Sequence, residues 1–215
     1  MTDQLSLYNG ALRLLKERRL SSLSEARECR RLLDDAWGDG RTYGSVAYCL
    51  QDGQWVFARR TVQIDFSPSI TPTFGYRYAF DHPSDMVKPV AICSDQYLTQ
   101  PLLHYQDEGS YWYCDLQTIY VSYISNGVTF GGDMSRWGEK FVKLVEAHLA
   151  MEIAPNLTNS DGAIRLAEAA YLKAIKAARS DDAMRQPTRF LPPGSWVSAR
   201  GGGGRRRSLW NGGSY

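Results

Sequence analysis

Cysteine is scarce and scattered: Cys29, Cys49, Cys93 and Cys114 lie far apart, with no CxxC pair of the kind that holds zinc or runs thiol–disulfide exchange. Histidine is scarcer still. His82, His104 and His148 are isolated from one another, and although His148 and Glu152 stand four apart on one helical face, no further ligands accompany them, so no metal site is expected. No serine occupies a G-x-S-x-G elbow, and no glycine pattern has Walker or dinucleotide spacing. Nucleophilic and nucleotide-dependent enzymes therefore lack their usual parts: no catalytic residue and no cofactor is assigned. No apolar run is long enough to span a bilayer, and the opening Met1-Thr2-Asp3-Gln4 shows no basic-then-apolar leader. The expectation is a reducing cytoplasm with free, mostly buried thiols, and the Asn156-Leu157-Thr158 sequon is then a chance match. Acid is missing from one end. After Asp182 there is none, while Arg185, Arg189, Arg200, Arg205, Arg206 and Arg207 all follow.

What is present is ordinary for a globular chain: 215 residues, 43% hydrophobic and 22% charged, enough for one core and a subsidiary lobe. The formal net charge of +2 is too small for a chain built as a whole to coat nucleic acid. Leu5, Tyr8, Leu12 and Leu15 recur at helical spacing. Ser22 and Glu25 have capping-box spacing, and a second stripe follows through Ala26, Cys29, Leu33, Ala36, Gly40, Tyr43, Ala47 and Leu50. The phase survives Gly38 and Gly40, which predicts one long helix, weakened or kinked there, packed beside the first as a hairpin. On that reading Gly40→Ala is neutral or stabilising.

The period then changes to two. Val62, Ile64 and Phe66 alternate with polar residues, and Phe74, Tyr76, Tyr78 and Phe80 place four rings on one face of a strand. Weaker strands are expected at 87–92 and 102–105. A hairpin turn at Asp107-Glu108-Gly109-Ser110 leads into 111–115, and a last strand is marked by Ile119, Val121 and Tyr123. Short strands joined by short turns favour an antiparallel meander or small barrel. Helical spacing returns at Trp137, Phe141, Leu144, Val145, His148 and Leu149, with Ser135 as cap and Pro155 just past the end. Ile164, Ala167, Tyr171, Ile175 and Ala178 mark another helix, started by Ser160 or Asp161. The predicted fold is α+β: an antiparallel helical bundle (1–58 and 131–185), an inserted antiparallel β lobe (59–130) and an extended Gly/Pro/Arg-rich C-terminal arm (186–215).

Candidate chemistry is thin. Asp34 and Asp35 are neighbours on a helix and do not face each other, so an ion pair with Arg30 or Arg31 is expected rather than a shared-proton dyad. The aromatic stripe from Phe74 to Phe80, with Arg77 between, has the form of a base-stacking platform, but alternate aromatics are more simply the core face of a strand. Gly201 to Gly204 before three arginines has no strand before it or helix after it, and reads as a flexible linker with a basic end.

Several runs together resemble the head–tail adaptor proteins of tailed bacteriophages, the tail tubular protein A family. They are Leu14-Leu15-Lys16-Glu17-Arg18-Arg19-Leu20-Ser21-Ser22-Leu23, Arg30-Arg31-Leu32-Leu33-Asp34-Asp35-Ala36-Trp37 and Gly53-Gln54-Trp55-Val56-Phe57-Ala58. Phe74-Gly75-Tyr76-Arg77-Tyr78-Ala79-Phe80 with Pro83-Ser84-Asp85, Ile119-Tyr120-Val121-Ser122-Tyr123 and Pro192-Pro193-Gly194-Ser195-Trp196 follow in order. The resemblance implies a non-enzymatic virion protein, assembled in the host cytoplasm. It would be a homo-oligomeric ring of twelve between the portal protein and the tail nozzle protein, through which DNA passes without specific binding, with no membrane partner. The arm would engage the portal, with Arg189, Phe190, Trp196, Arg200, Arg205, Arg206, Arg207 and Trp210 as anchors. Two features depart from the family pattern: Gly38-Asp39-Gly40 interrupts a helix that should be smooth, and the extension after Arg200 lies beyond the matched motifs. The alternative is a nucleic-acid-binding protein that uses the arginine-rich tail.

Overall fold

Asp3 starts the first helix: its carboxylate accepts from the Ser6 amide while the Ser6 hydroxyl side chain accepts from the Asp3 amide, a reciprocal cap. In the computed structural model, which describes residues 3–158 and 160–185, this helix is α1, Gln4–Leu14. Lys16, at φ +59°, ends it. The chain then runs without regular structure to residue 27. Asn9 fixes that run by donating to the Leu20 carbonyl (3.1 Å) and accepting from its amide (2.7 Å), which buries Leu20. The expected cap at Ser22 and Glu25 does not start a helix: Glu25 instead accepts from the Ser21 amide and hydroxyl.

The long second helix is two short ones, α2 (Glu28–Trp37) and α3 (Ser45–Gln51). The break is real: Gly38, Gly40 and Gly44 have φ of +64°, +72° and +94°, a region that residues with a Cβ avoid. A Cβ on Gly40 would lie 2.6 Å from Trp37 Nε1, and one on Gly44 2.1 Å from the Trp37 carbonyl oxygen. Asp39 holds the turn by accepting from the amides of Arg41, Thr42 and Tyr43 at 2.7–3.1 Å, which keeps its carboxyl well below the usual carboxylate range. The apolar phase does not carry through the turn: Tyr43, a member of the expected stripe, is 63% exposed. Nor do the first two helices form each other's wall: α1 and α2 both pack against a later helix, α4 (Glu139–Leu157).

Among the described residues the strands form two antiparallel three-stranded sheets. One has the order β1 (Arg59–Asp65), β6 (Thr118–Ser125), β3 (Met86–Cys93). The other has β2 (Tyr78–Asp81), β5 (Tyr111–Cys114), β4 (Gln106–Glu108). Pro89 is tolerated because β3 is an edge strand with register shifts on either side of it. The four-ring strand is shorter than expected: Gly75 at φ +48° turns the chain, so only Tyr78 and Phe80 lie in β2. Phe80 is fully buried opposite Trp112, as a core position. The expected strand at 102–105 does not form beyond a bridge at Pro101, and Asp107 and Glu108 belong to β4, leaving Gly109-Ser110 as the turn.

Ser135 caps nothing long. It sits in a 3-10 turn, Met134–Arg136, held by Asp133, and α4 begins after Gly138. Pro155 lies inside α4, in its last turn, rather than past its end. After α4 comes α5, Asp161–Arg185. The structure is thus mixed α+β, with five α-helices and the two sheets among the described residues. One apolar cluster joins all five helices to Trp55, Ala58, Trp137 and Ile124. A second joins Phe80, Ile92, Trp112, Cys114, Ile119, Val121 and Tyr123 between the strands. Strand β6 therefore feeds both. All four cysteines are free and buried.

Candidate functional site

The proposed anchors Arg189, Phe190, Trp196, Arg200, Arg205, Arg206, Arg207 and Trp210 lie outside the described residues. Asp34 pairs with Arg30, one turn away, and also accepts from the Tyr8 hydroxyl at 3.0 Å; Asp35 joins no pair with it. The three histidines stay apart. His104 is exposed, His82 packs on Trp112 with ring centres 4.2 Å apart, and His148 is buried in α4. Among the described residues no three His, Cys, Asp or Glu side chains converge as metal ligands.

What the fold does build is polar knots. Asp85, in the turn before β3, accepts from Arg60 Nη1 (2.8 Å), the Tyr123 hydroxyl (2.8 Å) and the Ser125 hydroxyl (2.5 Å). Its backbone carbonyl takes the Asn126 amide at 2.9 Å. Burial alone would raise this carboxyl, but the three donors outweigh it and hold it below the ordinary range. The same contact, with burial first, pushes the Tyr123 hydroxyl up to about 12. The knot therefore stays ionised on one side and neutral on the other across the physiological range. It stitches β1, β3 and β6 together.

A second knot forms where α3 ends. Asp52 accepts from the Tyr171 hydroxyl of α5, and its carbonyl takes both Arg179 Nε (2.9 Å) and Nη2 (2.5 Å). His148 lies between Tyr48 and Tyr171, its ring centre 4.4 Å and 5.4 Å from theirs. Its Nδ1 has no hydrogen-bond partner. Burial pulls its pKa below the ordinary value, against the carboxylates of Glu152 and Asp52. Here too the groups lock helices.

The surface also carries large apolar side chains. Between β3 and β4, Asp95 accepts from the Thr99 amide and hydroxyl and the Gln100 amide at 2.6–3.1 Å, forcing Leu98 to φ +56°. This fixed loop holds out Tyr97, and Leu103 follows it, 76% and 83% exposed. Nothing in alternation or helical period marks such a loop. Only the Asp95-to-Thr99 spacing, typical of a side chain folding back on its own backbone, signals it. Compared with known proteins, the chain matches no family model and no curated protein.

Proposed function

We propose that the chain is a structural virion component, a ring-forming adaptor between portal and tail nozzle of a tailed bacteriophage, with a central channel that DNA traverses without specific binding. In this reading residues 1–58 and 131–185 form the helical body, 59–130 an inserted β lobe, and 186–215 an arm that engages the portal. The observation that carries it is the joining of two separately recognised motifs. Asp85 of Pro83-Ser84-Asp85 accepts from Tyr123 of Ile119-Tyr120-Val121-Ser122-Tyr123 at 2.8 Å, so the residues behind the resemblance serve one architecture. Trp55 of Gly53-Gln54-Trp55 is likewise a core residue, 1% exposed, with its indole donating to the Cys49 carbonyl at 2.9 Å. Ring subunits meet their neighbours through unlike faces, and exposed side chains such as Tyr97 and Leu103 suit such contacts.

The arginine-rich end, with no acid after Asp182, favours the second reading, a nucleic-acid binder. Negative-stain imaging of the purified chain, alone and with a portal, separates the two. Closed rings that cap the portal support the adaptor. A monomer that ignores the portal and binds duplex DNA with steep salt dependence refutes it.

A further inference from the structure

Helices α1, α4 and α5 leave a groove of about 470 Å³ on the helical face. Its apolar lining is Leu14 from α1 and Ala170, Ala174 and Ala177 from α5. The line continues in both directions along α5 through Leu166 and Met184, 54% and 81% exposed. Leu166, Ala170, Ala177 and Met184 lie on one face of α5, spaced four and seven residues apart, and form an apolar seam. From Leu166 to Met184 the seam is about 27 Å long at the rise of an α-helix.

The charges lining it are mixed, with cations in the majority: Arg13, Lys140, Lys143 and Lys173 against Glu139 and Glu146, and Glu139 joins no ion pair among the described residues. Glu146, 6% exposed at the floor, is neutralised by Lys143 at 2.7 Å and Arg13 at 3.6 Å. Lys140 is held by Asp181 at 3.1 Å. On a helical projection Arg165, Lys173 and Lys176 flank the seam on the side away from α4, and they join no ion pair among the described residues. An occupant thus meets a partly apolar groove that carries Glu139 and the paired Glu146 on its α4 side, with unpaired cations along the outer edge of α5.

We propose that this groove docks an acidic amphipathic helix of another polypeptide: an apolar stripe into the groove, carboxylates against Arg165, Lys173 and Lys176. Charge decides between occupants. The chain's own end carries six arginines from Arg185 on and no acid after Asp182, so it would be repelled. A second copy fits no better: α1 carries no acid, and the acids of α2, α4 and α5 are interleaved with lysines or arginines on the same helices. This inference stands apart from the adaptor reading, and rings that fail to form leave it untouched.

The test uses the full chain and two labelled synthetic helices of about 20 residues, each with a leucine stripe, one flanked by glutamate and one by lysine. Fluorescence anisotropy should show the glutamate helix binding about tenfold or more tighter than the lysine helix, a gap that closes as salt rises. Ala177→Trp fills the groove from an exposed position, so folding survives (checked by circular dichroism) while glutamate-helix affinity drops about tenfold or more. Lys173→Glu with Lys176→Glu should erase the preference. Equal binding of the two helices, binding indifferent to Ala177→Trp, or self-association of the chain that Ala177→Trp abolishes in sedimentation would each overturn the proposal.

Discussion

Asp85→Ala should be among the most damaging single changes in this chain. The substitution leaves the hydroxyls of Tyr123 and Ser125, both 0% exposed, without the acceptor they now share. An unpaired buried hydroxyl costs about 1–3 kcal/mol. Arg60, with its side chain 41% exposed, turns to water and adds little. The expected loss is about 3–5 kcal/mol, against a total of about 5–15 kcal/mol for a domain. Asp85→Asn should rescue in part: with its Oδ1 toward Ser125 and Arg60, its amide nitrogen can donate to the Tyr123 hydroxyl oxygen, but the charge-assisted bonds are lost. Urea melts followed by tryptophan fluorescence give the number. The double variant Asp85→Ala, Tyr123→Phe removes one orphan with its partner, so it should be more stable than the sum of the single effects by about 1–2 kcal/mol. A single-variant loss below about 1 kcal/mol, or additivity within about 0.5 kcal/mol, would refute the shared-acceptor reasoning.

Gly44→Ala should destabilise by about 2 kcal/mol or more, because the position combines φ +94° with a Cβ forced onto the Trp37 carbonyl; thermal melts unchanged from the parent would contradict this. Gly40→Ala should also lose stability rather than gain it, for the same conformational reason. His148 carries a depressed folded pKa, so the unfolded chain binds the proton more readily. Stability should fall as pH drops below the unfolded value of about 6.5, and His148→Phe should flatten that slope in melts between neutral and acid pH. Truncation after Arg185 should leave the far-UV spectrum and melting point nearly unchanged, since the two apolar clusters described are built by residues before it, while portal attachment measured by co-sedimentation is lost.

Helix and strand alternation was legible wherever one face is buried against one partner. Ile119, Val121 and Tyr123 announce β6, and Ala167, Tyr171, Ile175 and Ala178 announce α5, because each stripe meets a single core. The break between α2 and α3 was not legible, because periodicity reports which residues are buried and not the sign of φ. Gly38, Gly40 and Gly44 together were the signal, but Gly38 and Gly40 were read as weakening a helix and Gly44 was passed over. The short β2 failed for a related reason: aromatic alternation from Phe74 continued through Gly75, where the backbone turns. The Asp85 knot was invisible because its members are 25–40 residues apart, and no local pattern records which hydroxyl a carboxylate will meet. Basic surplus at the chain's end was plain from composition, but the cationic edge of α5 needed the helix phase and the burial of Tyr171 to say which lysines face outward.

The dependence of α1, α2 and α3 on α4 has a consequence for how the protein is made. All three early helices pack on a segment that begins at Glu139, and β1 finds its partner only when β6 appears at Thr118. A ribosome adding about 5–20 residues per second takes about 6–25 s to travel from the end of α1 to the start of α4. During that interval the N-terminal apolar stripes lack their main cover, having only contacts such as Tyr8 with Asp34 and Trp37, and short isolated helices are marginal in water. Acquisition of structure is therefore deferred until synthesis is mostly complete, and a nascent chain stalled before α4 is a substrate for chaperones and proteases in a way the finished chain is not.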